Sequence, residues 1–100
     1  MQVAFRTTKL QKQYEQSDRA IRAYGQNVAR KYIQRINIIQ LTRTFEELIT
    51  LHGFNCHPLK GDMKGKWSIS LTGFYRLIVT REGGALEIVR IEEVSKHYDD

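Results

Sequence analysis

The stretch HPLKGDMKGKWSISLTGFYR, residues 57–76, holds His57, the lysines Lys60, Lys64 and Lys66, and Arg76, against a single acid, Asp62. Near the other end Lys96, His97 and Tyr98 follow one another. These are the side-chain types that cleavage of RNA without a metal requires. A base takes the proton from a 2′-hydroxyl, an acid protonates the departing 5′-oxygen, and cations hold the charge that builds on phosphorus. A histidine titrates near neutrality and can perform either proton transfer. Arg76 stands between Phe74-Tyr75 and Leu77-Ile78-Val79, in the middle of what reads as a buried strand. A buried cation needs a partner. That partner is either an internal glutamate such as Glu87 or a phosphate or carboxylate on an open sheet face. The histidines also have plainer readings: a lone histidine on a strand is often structural, and terminal residues fray.

Other chemistries find no spacing to support them. Three histidines and one cysteine lack ligand spacing, and Glu92-Glu93 is expected to point to opposite faces of a strand, so neither a metal nor a cofactor is expected. There is no P-loop, dinucleotide-binding glycine fingerprint or serine elbow, and KGDMKGK lacks the Walker pattern. Cys56 and His57, as strand neighbours, face opposite ways and make no dyad. The net charge is +5 and the isoelectric point about 9.6. Such a domain either meets nucleic acid or simply carries a solubilising surface. The positive charge is concentrated in residues 57–81 and in the N-terminal half, and the chain turns acidic after Arg81. The loop lysines Lys60, Lys64 and Lys66 are therefore candidate phosphate contacts.

The elements that must position these groups follow from periodicity. One hundred residues, 41% hydrophobic, predict one domain, 1–100, with a modest core. A lone cysteine allows no internal disulfide and fits a reducing compartment. No apolar run is long enough to span a membrane, and the N-terminus lacks a signal-peptide core. A soluble cytoplasmic protein without a membrane partner is expected. Gln2–Arg6 reads as a short strand and TTKLQKQYEQ as a helix with Leu10 and Tyr14 on one side. Ser17 or Asp18 is expected to cap the next helix. Its apolar stripe runs from Ala20 to Ile39, with Gly25 marking a kink or a break. Arg22, Arg30 and Arg35 read as one helical face, solvated by default or able to grip RNA backbone or an acidic segment. Thr44 and Glu47 read as a capping box opening a short helix that Gly53 ends. From Phe54 the period becomes two: FNCHPL, WSISL, FYRLIVT and LEIVRIEEV read as strands, the third central. In WSISL, Trp67, Ile69 and Leu71 share one face and Ser68 and Ser70 the other. The fold class is α+β: an N-terminal strand and helices packed on a curved antiparallel sheet whose other face is at least partly open.

The run His57-Pro58-Leu59-Lys60-Gly61-Asp62, then Lys64-Gly65, Trp67-Ser68-Ile69-Ser70 and Tyr75-Arg76, resembles the HigB-type killer toxins of the RelE/ParE superfamily of bacterial toxin–antitoxin systems. The resemblance extends through NVARKYIQRINIIQ and the closing EIVRIEEVSKHYDD. It implies a microbial-RNase-like fold. It implies a ribosome-dependent endonuclease that cuts translated mRNA and yields a 2′,3′-cyclic phosphate. It also implies a HigA-like helix-turn-helix antitoxin, with operator DNA met only through the toxin–antitoxin complex. On this resemblance His57 transfers a proton, Lys60 contacts phosphate and Arg76 stabilises the transition state. His97 and Tyr98 complete the catalytic set. Many relatives end Asp-Tyr-His, whereas this chain reads Lys96-His97-Tyr98, which leaves open which of the last two faces the cleft. Two rivals share the fold: a ParE-like toxin that poisons gyrase without acid–base chemistry, and a degenerate member that only binds antitoxin or operator.

Overall fold

In the computed structural model, which describes residues 1–96, the chain opens with strand β1 (Gln2–Phe5) and turns at once into helix α1 (Thr8–Glu15). Thr7 makes that turn. Its Oγ accepts the Leu10 amide at 3.1 Å, satisfying one of the amides that a first turn leaves unpaired. Helix α2 (Ser17–Tyr24) follows, but neither Ser17 nor Asp18 caps it: the N-cap is Gln16, with no side-chain cap bond. The chain leaves α1 one residue too early for Ser17 to stand outside the next helix. Gly25 produces a full break. With φ 84 and ψ 164 it ends α2 and begins α3 (Gln26–Leu41).

Helix α3 buries Val28, Ala29, Tyr32, Ile36 and Ile39 at three- and four-residue intervals. Ile36 and Ile39 are fully buried, and each such side chain contributes about 1.5–3 kcal/mol by leaving water. The Tyr32 hydroxyl donates to Leu10 O at 2.7 Å, tying α1 to α3; burial raises its pKa. Helix α4 (Phe45–Ile49) is capped by Thr44 Oγ accepting the Glu47 amide, 3.2 Å. Half of the expected capping box is present; the Glu47 carboxylate lies 3.6 Å from Arg43.

The sheet has five strands in the order β1-β5-β4-β3-β2, with β2 (His57–Pro58), β3 (Trp67–Ser70), β4 (Tyr75–Glu82) and β5 (Ile88–Lys96). A short 3₁₀ turn, Gly61–Met63, lies between β2 and β3. β4 is central, as its apolar sequence predicts. Strands β2 to β5 form an antiparallel meander, while β1 lies parallel to β5, so the sheet is mixed. A parallel pair needs a long crossover, and here everything between the first and last strands provides it. Ile69, Leu77, Val79, Val89 and Ile91 pack from the sheet against α3, Phe45, Leu48 and Phe54. The helices thus cover one face, and the other carries the candidate chemistry.

Candidate active site

Strand register determines which side chains share the uncovered face. Ser70, Arg76 and Ser95 form one cross-strand row, and His57, Ser68, Ile78 and Glu93 form the next. Their neighbours along each strand, Ile69, Leu77 and Val94, point to the core. Ser68 and Ile78 are buried even on this side, at 2% and 0% exposure, so the uncovered face is not solvated throughout. His57 and Arg76 are two strands and one row apart, which corresponds to about 12 Å between their Cα atoms.

His57 is half-buried on a strand much shorter than the expected FNCHPL. The reason is Asn55, whose φ of 47 is left-handed and breaks the extended run. That turn has a chemical result. The Asn55 carbonyl lies 2.9 Å from His57 Nδ1. A carbonyl only accepts, so Nδ1 carries the proton, and in the neutral ring Nε2 is left with its lone pair. Cys56, one residue earlier, belongs to the core, and burial pushes its thiol up to about 11. The two do not form a dyad, as the alternation predicts.

Arg76 is the second residue of β4, beside the turn, and half-buried; it is not in the middle of a buried strand. Its Nη1 donates to Gly73 O and to Tyr75 O, both at 3.0 Å. The turn that follows Leu71 thereby orients the guanidinium. Glu87 is not the glutamate of Arg76; it lies 3.9 Å from Arg81. Arg81 also pairs with Glu46 at 3.0 Å and stacks 4.4 Å from the centre of the Phe45 ring, so this cation of the basic segment is used within the fold.

Lys60 and Lys64 are exposed at the edge of the sheet, around the Gly61–Met63 turn. Lys66 is half-buried, and its carbonyl accepts the Leu59 amide at 2.9 Å, which extends the β2–β3 pairing. Alternation from Ser68 places Lys66 on the uncovered face. Lys96 lies over the Tyr75 ring, at the Arg76 end of the sheet. His97 and Tyr98 lie outside the described residues. Among the described residues, no three histidine, cysteine, aspartate or glutamate side chains are grouped to hold a metal, and no helix is long and apolar enough to cross a membrane.

Sequence reasoning missed two features. The register slips between Ile78 and Val79, so that Ile78 faces Glu93 while Val79 faces Ile91. Glu92 is the extra residue of this bulge. It is 6% exposed, accepts from Thr80 Oγ at 2.8 Å, and lies 3.8 Å from Arg6 and 3.6 Å from Arg90. Thr80 and Ile78 share a face, so Glu92 and Glu93 lie on the same side, not on opposite sides. The second feature is Arg35. It is 8% exposed, not on the solvated helical face with Arg22 and Arg30. It donates to Ser70 O at 3.0 Å and to Gly53 O at 3.2 Å, and burial lowers its pKa. Its spacing beside Tyr32, Ile36 and Ile39 was the available signal.

The family model described as RelE-like toxin of type II toxin–antitoxin system HigB matches residues 3–91. No curated protein sequence is a significant match. Solved structures with the same fold include a YoeB/ParE toxin from Agrobacterium tumefaciens, 20% identical with a TM-score of 0.63 over 98% of this chain and 100% of that one. The YoeB–YefM complex from Staphylococcus aureus is 15% identical, with a TM-score of 0.61 over 98% of each chain. YafQ from E. coli is 13% identical, with a TM-score of 0.57 over 95% of this chain and 91% of that one. The layered α+β fold agrees with all three, and the match over residues 3–91 makes this chain a member of the RelE-like toxins of type II toxin–antitoxin systems, of the HigB kind.

Proposed function

We propose that this toxin is a ribosome-dependent endoribonuclease that cuts translated message without a metal. The observation that carries the reading is the His57 ring. Its Nδ1 hydrogen is held by the Asn55 carbonyl, which leaves Nε2 as a proton acceptor on the same sheet face as Arg76. In the reaction, Nε2 takes the proton of a 2′-hydroxyl. The 2′-oxygen attacks the adjacent phosphorus and the bond to the 5′-oxygen breaks. The products are a 2′,3′-cyclic phosphate and a 5′-hydroxyl. Arg76, with Lys60, Lys64 and Lys66 at the edge of the face, stabilises the phosphorane charge and holds the backbone. The leaving oxygen takes its proton from His97 or Tyr98, following the family resemblance. The ribosome supplies the positioning that a small open face lacks. An antitoxin partner is part of the same reading; the YoeB–YefM structure is such a complex of that toxin.

Induced expression of the wild-type chain, His57→Ala and Arg76→Ala in bacterial cells, followed by mapping of new 5′ ends, tests it. Cuts in register with codons are expected for the wild type. Loss of His57 is expected to lower the cleavage rate by roughly 10² to 10⁴. Growth arrest with intact message would overturn the nuclease reading in favour of gyrase poisoning.

A further inference from the structure

One guanidinium on the helix layer reaches both segments that carry the candidate site. Arg35 projects from the buried stripe of α3; its Nε donates to Ser70 O, its Nη2 to Gly53 O, and its Cζ lies over the Phe54 ring, 4.5 Å from the centre. One acceptor pairs with a candidate catalytic residue and the other opens the segment that leads to His57. Ser70 is the cross-strand partner of Arg76. Gly53 and Asn55 have φ of 85 and 47, so two left-handed residues flank Phe54. Such a segment is irregular and needs outside support to hold one conformation. The Ser70 amide gives part of it, donating to Phe54 O at 2.7 Å. The Phe54 amide donates to Leu51 O at 3.3 Å, and Arg35 adds its two bonds from the opposite layer. The Asn55 carbonyl held in this way is the one that receives the His57 Nδ1 hydrogen.

We propose that Arg35 is a positioning residue: by binding Gly53 and Ser70 to one rigid planar group, it fixes the Asn55 carbonyl, and with it the tautomer and direction of the His57 ring relative to Arg76. The effect on cleavage rate rests on the ribonuclease reading; the effect on the imidazole does not. Lysine cannot substitute, because a single ammonium on a flexible stem lacks the fork that meets two carbonyls while its centre lies over Phe54.

The test uses the full chain with Arg35→Lys, following the His57 ring nitrogens by ¹⁵N NMR across pH and measuring message cleavage on ribosomes with the same samples. The variant is expected to keep slow amide exchange in β4 while His57 shifts from the Nδ1–H toward the Nε2–H tautomer. The maximal cleavage rate is expected to fall roughly 10- to 100-fold and its pH profile to move, with little change in half-saturation. A folded variant with the wild-type tautomer overturns the proposal. A shifted tautomer in a protein that leaves message intact upholds the coupling of Arg35 to His57 and removes only the ribonuclease assignment; cleavage that ignores His57→Ala removes only the catalytic role of His57. Should Arg35→Lys fail to fold, the wild type decides. Slow exchange of the Arg35 Nε–H and the His57 Nδ1–H, lost together in mild denaturant, supports the proposal. Arg35 Nε–H exchanging as fast as an exposed guanidinium, with His57 Nδ1–H still protected, overturns it.

Discussion

At the scale of single residues, neighbours in sequence have opposite chemical fates. His57 faces the open side with a prepared ring, whereas Cys56 is sealed in the core. Burial is the larger influence on the thiol and raises it from 9.0 to about 11; the charge of Arg81 acts in the opposite sense. A native pKa above the unfolded one means that the native thiol keeps its proton while the unfolded chain loses it. Stability therefore falls as pH rises from about 9 to about 11. After allowance for solvent screening, the loss due to this group is about 1–2 kcal/mol. Urea unfolding across that range should show a shallower alkaline decline in Cys56→Ala than in the wild type. Arg76 shows how far residue types alone can carry an argument. An arginine in an apolar run is legible as unusual, but its place beside a turn depends on Gly73 and Tyr75 carbonyls that no sequence pattern displays. Arg35 was misread for a related reason. Its charge suggested solvent, and only the carbonyls of Gly53 and Ser70, far away in sequence, make the buried position tolerable.

At the scale of elements, the breaks matter as much as the helices and strands. Gly25 separates α2 from α3 in a region of backbone space that only glycine occupies readily. Gly25→Ala is expected to lower stability by about 1–3 kcal/mol, read as a lower urea midpoint with an unchanged m-value. Thr7→Ala removes the α1 cap and should cost about 1 kcal/mol by the same measurement. The elements with strong periodicity were legible: α1, the α3 stripe, β3 and central β4 lie where their patterns put them. The limits of β2 were not. FNCHPL has strand composition throughout, and the left-handed Asn55 that cuts it short is a choice made by the hydrogen bonds around it. The β5 bulge was equally hidden, since a sequence shows alternation but not the partner strand against which an extra residue is counted.

At the scale of the whole molecule, the two layers divide the work. The helix layer buries the α3 stripe and supplies the Arg35 fork; the sheet carries His57 and Arg76 on its uncovered face and Lys60 and Lys64 at its edge, which the proposed function assigns to RNA. If Lys60, Lys64, Lys66 and Arg76 each neutralise one phosphate of a single strand, the logarithm of the binding constant should fall with the logarithm of salt concentration with a slope of about −3. Titrating a 2′-O-methyl RNA, which cannot be cleaved, at several salt concentrations measures this slope. Replacing Lys60 and Lys64 together should reduce it by about half while leaving the fold intact, since both are exposed.

The bulge at Glu92 also governs how the gene can change. Side chains along a strand alternate like even and odd numbers, and an inserted residue reverses the parity of all that follow. With Glu92 in place, Val94 falls on the core side and Ser95 beside Arg76. A straight strand that kept Glu92 would exchange them, sending a serine inward and a valine out at the Arg76 end of the sheet; deleting that one codon removes the bulge and leaves both on the sides they occupy, with loss of the Glu92 contacts to Thr80, Arg6 and Arg90. Length changes should therefore be tolerated in the Gly83–Leu86 turn before β5, where they leave the alternation of the strand itself untouched; within β5 a deletion at Glu92 keeps that alternation, whereas an insertion between Ile91 and Ser95 breaks it. A scan of single-codon insertions and deletions, scored by soluble expression, would reveal that boundary directly.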